Sequence, residues 1–330
     1  MASLLFSKFK QKPFLILSPM VGLTHLALRK IIREFGGCAL LSMEMCSAKA
    51  LPYENRATSP YFKFFEEEKY QLICQIIGNN PKKMADAAKR IEQEGLFGID
   101  LNFGCSVSHI YKQQAGAYLL ENVSLASQII EAVKKAVSIP VSIKFRLPTQ
   151  CTEKKLILLA KMFEQSGADF LIFHPRIYPD RRNRPPRWEY ISVVKQSVSI
   201  PVLGNGNVFS IEDVKKMFQQ TGCDGVALGR IAAARPFIFA QITQGFQPTI
   251  QTYYYIARKM CLYLFEFYEP TRALRLFKKW LPYFGSNFDF GLELISILSK
   301  AKDKNEILSK LNKIHNLKIL NRPNLILIGQ

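Results

Sequence analysis

Cys105 follows Gly104 at the end of a strand-length run, Gly98 to Phe103, where an exposed thiol could act on a substrate. A free cysteine is otherwise a small buried residue. His174 ends another apolar run, and its two readings are a satisfied core histidine or a group at a site. Lys144 ends a third; it is either a snorkelling lysine or a cation held over a cavity to stabilise negative charge. Gly204-Asn205-Gly206-Asn207 lacks the third glycine of GxGxxG and follows a late strand, so it suits a phosphate cradle better than a dinucleotide fingerprint.

These residues share one kind of position. Short β-branched runs alternate with helix-length amphipathic segments, and eight candidate strands start near Phe14, Ala39, Leu72, Gly98, Val141, Phe170, Val202 and Gly225. Eight βα units predict a (β/α)8 TIM barrel, with a doubly wound open sheet as the alternative. Two echoes support a repeated unit: Val137-Ser138-Ile139-Pro140-Val141 recurs as Val198-Ser199-Ile200-Pro201-Val202, and Gly167-Ala168-Asp169 matches Gly222-Cys223-Asp224. In such barrels the site is built at the carboxyl ends of the strands. There the sequence places Pro19, Met20 and Val21, then Gln75, Asn102 with Cys105, Lys144 with Arg146, His174 with Arg176, Asn205 to Asn207, and Gly229 with Arg230.

The alternation stops near Gln241, and from Gln251 the pattern is helical and rich in aromatics. This divides the chain into a barrel domain, residues 1–242, and a C-terminal helical domain, residues 243–330. Within the latter, Leu274, Phe277 and Leu281 mark one helix face, while Arg272, Arg275 and Lys279 repeat the spacing on another. That second face is either a plain solvated face or a contact for phosphate.

Lys and Arg total 45 against 26 Asp and Glu, a formal charge of +19 that favours a polyanionic partner, nucleic acid or an anionic membrane surface. No apolar run is long enough to span a bilayer, and Lys8, Lys10 and Lys12 interrupt any secretory h-region, so no membrane segment or signal peptide is expected. Seven cysteines without a CxxC pair suggest neither a disulfide framework nor a zinc ribbon, and the four histidines never take helical zinc spacing. A reducing cytoplasm, no protein-bound metal and a monomer are expected.

The ordered motifs together resemble the tRNA-dihydrouridine synthase family. They are Pro19-Met20-Val21-Gly22-Leu23-Thr24, Ser42-Met43-Glu44-Met45, Gln75, Asp100-Leu101-Asn102-Phe103-Gly104-Cys105, Ala115-Gly116-Ala117, Lys144-Phe145-Arg146, His174-Pro175-Arg176, Gly204 to Ser210 and Thr221 to Arg230. The resemblance is strong over residues 14–240 and looser beyond. It implies an FMN resting on Pro19, Met20 and Val21, with Gln75, Lys144 and His174 at its polar edges and Asn205, Gly206, Asn207, Gly229 and Arg230 around its phosphate. It further implies NADPH or NADH as reductant and hydride delivery to carbon 6 of a uracil in tRNA. Cys105 would protonate carbon 5, since an ordinary thiol is protonated at neutral pH. Asn102, Arg146 and Arg176 would hold the flipped base and nearby groups. Arg272, Arg275 and Lys279 would meet tRNA on the helical domain.

Three positions depart from the family pattern: Ser106 where proline usually follows the cysteine, Pro175 where Gly or Ala usually separates His from Arg, and His25 where an acidic or amide residue usually follows the threonine. The arginine-rich loop from Pro179 to Trp188 is expected to meet RNA at the catalytic rim. Two rivals remain: a flavin barrel acting on a free small molecule, and a noncatalytic RNA-binding protein on the same scaffold.

Overall fold

The computed structural model describes residues 13–177, 184–325 and 328. Eight parallel strands make the barrel: β1 (Leu15–Leu17), β2 (Leu41–Ser42), β3 (Leu72–Ile77), β4 (Gly98–Phe103), β5 (Val141–Leu147), β6 (Phe170–Ile177), β7 (Val202–Asn205) and β8 (Gly225–Leu228). Each pairs with its sequence neighbour, and β8 returns to β1. A parallel bridge between Ile16 and Leu40 joins β1 to the approach of β2, which closes the ring. The eight expected strands are therefore all present. Helices α1 (Leu26–Phe35), α2 (Pro81–Gln93), α3 (Val123–Ala136), α4 (Glu153–Gln165), α5 (Glu189–Ser197), α6 (Ile211–Thr221), α7 (Arg230–Ala234) and α8 (Ile238–Gln244) lie between and after the strands.

The sequence echoes correspond to one repeated joint. Glu92 accepts from the backbone N–H groups of Ser138 and Ile139 at 2.7 and 3.3 Å. Glu164 does the same for Ser199 and Ile200 at 2.8 and 3.2 Å. Asp169 then accepts from Val141 N and Lys134 Nζ, and Asp224 from Val202 N and Lys195 Nζ. Each proline starts a strand without an N–H to satisfy, and each acid covers the donors just before it.

One connection is irregular. Between β2 and β3 the chain makes two 3-10 turns, Leu51–Tyr53 and Glu66–Gln71, instead of an α-helix. Pro52 and Pro60 interrupt any longer helix there. The segment is held by a buried pair, Arg29 Nη2 to Glu68 Oε1 at 2.9 Å, whose guanidinium also donates to the Thr24 and Lys63 carbonyls.

Side-chain alternation divides the barrel interior into two levels. Phe14, Ile16, Leu40, Ile73, Phe170, Ile172, Leu203 and Ala227 fill its amino-terminal half as one apolar cluster. Toward the carboxyl ends the inward positions turn polar: Gln75, Asp100, Asn102, Ser142, Lys144, Arg146 and His174. The apolar plug is the floor on which the polar level rests.

Four helices complete the chain: α9 (Ile250–Phe267), α10 (Pro270–Gly285), α11 (Gly291–Ser299) and α12 (Lys304–Lys310). α9 packs on α1, and α10 packs on α7. Buried Trp280 donates from Nε1 to the Ala233 carbonyl at 2.7 Å, and Arg235 reaches Asn287 Oδ1 at 2.8 Å and the Leu320 carbonyl at 2.6 Å. The aromatics of α9 are largely consumed in this seam: Tyr253 lies against Phe237, and Tyr255 and Tyr263 both donate to Glu34. Helix α8 runs through the junction expected at 242/243 and stops at Gly245 in a left-handed conformation (φ 71°).

Candidate active site

A cavity of about 500 Å3 opens at the carboxyl ends of the strands. It brings together Pro19, Met20, Val21, Gln75, Asn102, Cys105, Lys144, Arg146, His174, Arg176, Asn205, Gly206, Asn207, Gly229 and Arg230. Lys279 of α10 joins them, whereas Arg272 and Arg275 lie outside. Its volume falls in the range of small-molecule and cofactor sites.

The cavity has a cationic end at β7 and β8. Gly206 takes φ +121°, where a Cβ would stand 2.8 Å from His174 Cδ2, so only glycine lets the chain pass this close. Trp188 Nε1 holds the Gly206 carbonyl at 2.9 Å. Asn207 is left-handed as well (φ 51°), and its Oδ1 accepts from Arg176 Nη2 at 3.0 Å and Arg230 Nη2 at 2.8 Å. Arg230 is further tied to the Leu325 carbonyl at 2.7 Å, so the C-terminal segment supports this end. Asn205 donates to the Ala227 carbonyl at 2.7 Å and accepts from Lys144 Nζ at 3.2 Å. Two guanidinium groups, an ammonium and a glycine-lined turn fit a phosphate group.

Burial lowers Lys144 to about 8, with Arg146 adding to the effect and buried Asp100 opposing it. His174 is pushed well below its ordinary range, by burial first and then by Lys144, Arg146, Arg176 and Arg230. Its Nε2 sits 3.2 Å from Arg176 Nη1. Arginine can only donate, so this nitrogen accepts and the ring is neutral.

The opposite wall carries Cys105, half-buried in the turn after β4. Asn102 Oδ1 accepts from Gly104 N at 3.1 Å and from Cys105 N at 2.8 Å. The Cys105 carbonyl accepts from Ala117 N at 2.9 Å, and Gly116 (φ +64°) lies so near that a Cβ would be 2.6 Å from that oxygen. The Ala115-Gly116-Ala117 motif is thus the brace of the cysteine turn.

Two of the three departures from the resembled family's pattern have local explanations. His25 caps α1, its Nδ1 accepting from Leu28 N at 3.3 Å, which is the acceptor role a capping acid or amide would have. Burial lowers it to about 3, so it caps as a neutral ring. Pro175 sits where the β5–β6 ladder skips from Arg146↔His174 to Leu147↔Ile177, a break at which a missing N–H costs no ladder bond. Ser106 lines the cavity beside Cys105.

Not every expected contact is free. Arg272 is half-buried, donates to the Pro60 carbonyl at 3.0 Å and lies over the rings of Tyr61 and Tyr268. It fastens α10 to the loop before β3, while Arg275 and Lys279 are exposed. The Lys279 chain covers Gly22 beside the cavity. The segment from Pro179 to Asn183, part of the expected RNA-facing loop, lies outside the described residues.

The cavity is also lined by Met45 and Phe209, which fall within the motifs but carry no assigned role, and by Tyr283, which sequence reasoning missed. Asp100 lies below the cavity and enters the sequence reading only within a motif; an acid at inward strand parity, two residues before Asn102, is the signal that points to it. Glu44 is buried beneath the loop after β1, accepts from Gly22 N, and is raised above the ordinary carboxylate range by burial.

A parallel eight-stranded barrel with a polar, cation-rich cavity at its carboxyl mouth places the chain among (β/α)8 barrel proteins whose site lies at the carboxyl ends of the strands. The family model "Dihydrouridine synthase (Dus)" matches residues 16–318, and the chain belongs to that family of flavin-dependent oxidoreductases. It is 28% identical over 315 residues to a probable tRNA-dihydrouridine synthase of Rickettsia bellii, covering 93% of this chain and 96% of the relative. It is 34% identical to tRNA-dihydrouridine synthase B of Pseudomonas aeruginosa, over 69% of this chain and 68% of that one. Among solved structures the fold is similar to TcOYE with pHBA (TM-score 0.52, 13% identity, 73% of this chain and 92% of that one). It is also similar to 2-naphthoyl-CoA reductase in complex with 2-naphthoyl-CoA (TM-score 0.54, 12% identity, 71% of this chain, 50% of that one). Among the described residues no group of His, Cys, Asp and Glu is arranged to hold a metal, and no helix is long and apolar enough to cross a membrane.

Proposed function

We propose that this protein reduces uridines of tRNA to dihydrouridine, with FMN as its resident flavin, NADPH or NADH as reductant and Cys105 as proton donor. One observation carries the reading: in a chain of the dihydrouridine synthase family, the family's cysteine faces the same cavity as a cationic, glycine-lined turn at β7 and β8.

Asn205, Gly206, Asn207, Gly229 and Arg230 would hold the FMN phosphate, with Pro19, Met20 and Val21 beneath the ring and Gln75, Lys144 and His174 along its edge. A bound, reduced flavin would supply a hydride, the chemistry that saturation of the 5,6 double bond of uracil needs. Lys144 would stabilise negative charge on the ring, and neutral His174 would leave that charge balance to the surrounding arginines. Cys105 gives its proton to carbon 5 from the opposite wall. Asn102, Arg146 and Arg176 orient the base.

A uridine in folded RNA must leave its stack to reach this depth, which costs a few kcal/mol. Phosphate contacts elsewhere offset that cost, and the +19 charge supports them. We assign flavin binding to residues 1–242 and tRNA docking to residues 243–330, with Arg275 and Lys279 as contacts and Arg272 as their structural neighbour. The protein is taken to work in the cytoplasm as a monomer.

The test is purification with cofactor analysis and RNA titration. Co-purifying FMN, reduced by NADPH, together with tRNA affinity that falls steeply with salt, is the expected result. A flavin enzyme indifferent to RNA would instead support a small-molecule substrate, and RNA binding without flavin would support a noncatalytic role.

A further inference from the structure

Asp100 has no exposed surface, yet the chemistry above gives it no part. It stands in register between Gln75 of β3 and Ser142 of β5. Ser142 Oγ donates to its Oδ1 at 2.7 Å, and Gln75 Nε2 donates to its Oδ2 at 2.6 Å. A carboxylate only accepts. With Nε2 turned to Asp100, Gln75 presents Oε1 to Asn102, whose Nδ2 donates to it at 2.8 Å. Asn102 must then turn Oδ1 toward Gly104 N and Cys105 N, which can only donate. Read from the acid or from the backbone, the chain has one polarity. The second Nδ2 proton of Asn102 rests on Met45 Sδ at 3.3 Å, a weak acceptor on the cavity wall. A pyrimidine carbonyl oxygen is a stronger acceptor and could displace it.

We infer that Asp100 is a positioning residue: an anchor whose oxygen accepts from Gln75 and, through Gln75 and Asn102, fixes the Cys105 turn and the donor offered to the substrate carbonyl. The substrate half of this statement rests on the proposed uridine reduction; the placement of the Cys105 turn does not. A bystander acid that merely joins β4 to β5 would have no specific relation to residue 75.

That relation is testable by suppression. Gln75→Glu sets a carboxylate against Asp100, so the pair must share a proton or separate. Asp100→Asn alone is tolerated, because Oδ1 can still accept from Gln75 while Nδ2 meets Ser142, whose hydroxyl can turn to the Ile99 carbonyl, 3.3 Å away. In the double variant the amide introduced at position 100 donates to the carboxylate introduced at position 75. That carboxylate still accepts from Asn102, so every partner is restored. Two quantities are read on the flavin-loaded proteins at pH 8: the rate of Cys105 alkylation by iodoacetamide, followed on its peptide by mass spectrometry, and kcat/KM for dihydrouridine formation.

Gln75→Glu is expected to shift both by about tenfold, the scale of one lost buried hydrogen bond, with recovery as the pH falls. Asp100→Asn should stay within about threefold of the parent, and the double variant should return to the Asp100→Asn level in the rate of Cys105 alkylation, the readout that does not pass through the contact of residue 75 with the flavin. A double variant whose Cys105 alkylation is as defective as that of Gln75→Glu overturns the inference. If Gln75→Glu cannot be purified, a folded double variant with the parental thiol rate supports the anchor, and an unfoldable one overturns it. If the parent makes no dihydrouridine but the alkylation pattern holds, the uridine reading fails and the anchor stands.

Discussion

The two ends of the cavity are built differently. At β7 and β8 the chain uses left-handed backbone at Gly206 and Asn207, two guanidinium groups on one amide oxygen, and a brace from the C-terminal segment at Leu325. At Cys105 the turn has the Ala117 N–H on its carbonyl and, on the strand side, a line of side chains, Asn102 to Gln75 to Asp100, each joined to the next by one hydrogen bond. A cross-braced end suits a group that stays bound. A single-file end suits a reacting side chain whose placement must be correct and whose neighbour must release a donor to the substrate.

The sharpest test of that division is Cys105→Ala. Dihydrouridine formation should fall by about 10²- to 10⁴-fold, the usual worth of a positioned acid, while flavin content and its reduction by NADPH persist. Equal turnover would remove Cys105 from the chemistry. Next in size is Asn207→Ala, which takes one acceptor from two arginines and places a Cβ residue without a local hydrogen bond in left-handed backbone. FMN affinity should drop roughly tenfold, measured by fluorescence titration, with Cys105 alkylation unchanged. Loss of both together would mean that the two ends are coupled.

A smaller effect is expected from Arg275→Glu with Lys279→Glu. RNA affinity should weaken and its dependence on log salt should lessen by about one to two, with flavin reduction retained. Arg272 is left out because its bond to the Pro60 carbonyl makes it part of the fold. The mildest effect is one of pH. Lys144 titrates near 8, so its charge is present below that pH and lost above it. FMN affinity should fall a few-fold from pH 7 to pH 9, and Lys144→Ala should flatten that slope.

Strand spacing and strand-end polarity carried most of the barrel, because a parallel strand buried on both faces must read as an apolar run with a polar end. Residues close in sequence to a strand end, such as Asn102 and His174, were therefore legible as rim residues. The 3-10 connection before β3 was not, since its anchor is Arg29 from α1 meeting Glu68 across the fold. Arg272 repeats the spacing of Arg275 and Lys279, yet its partner is 212 positions away, so periodicity could not tell an anchor from a free cation. Asp100 falls within a motif, but its service to Gln75 and Asn102 depends on which strands are neighbours in the barrel.

The most direct measurement is nucleoside mass spectrometry of tRNA that lacks dihydrouridine, after incubation with the purified protein, FMN and NADPH. The account predicts new dihydrouridine at discrete positions, absent with the Cys105→Ala protein. A flavin-loaded, NADPH-reducible protein that binds this tRNA and leaves every uridine intact would contradict it.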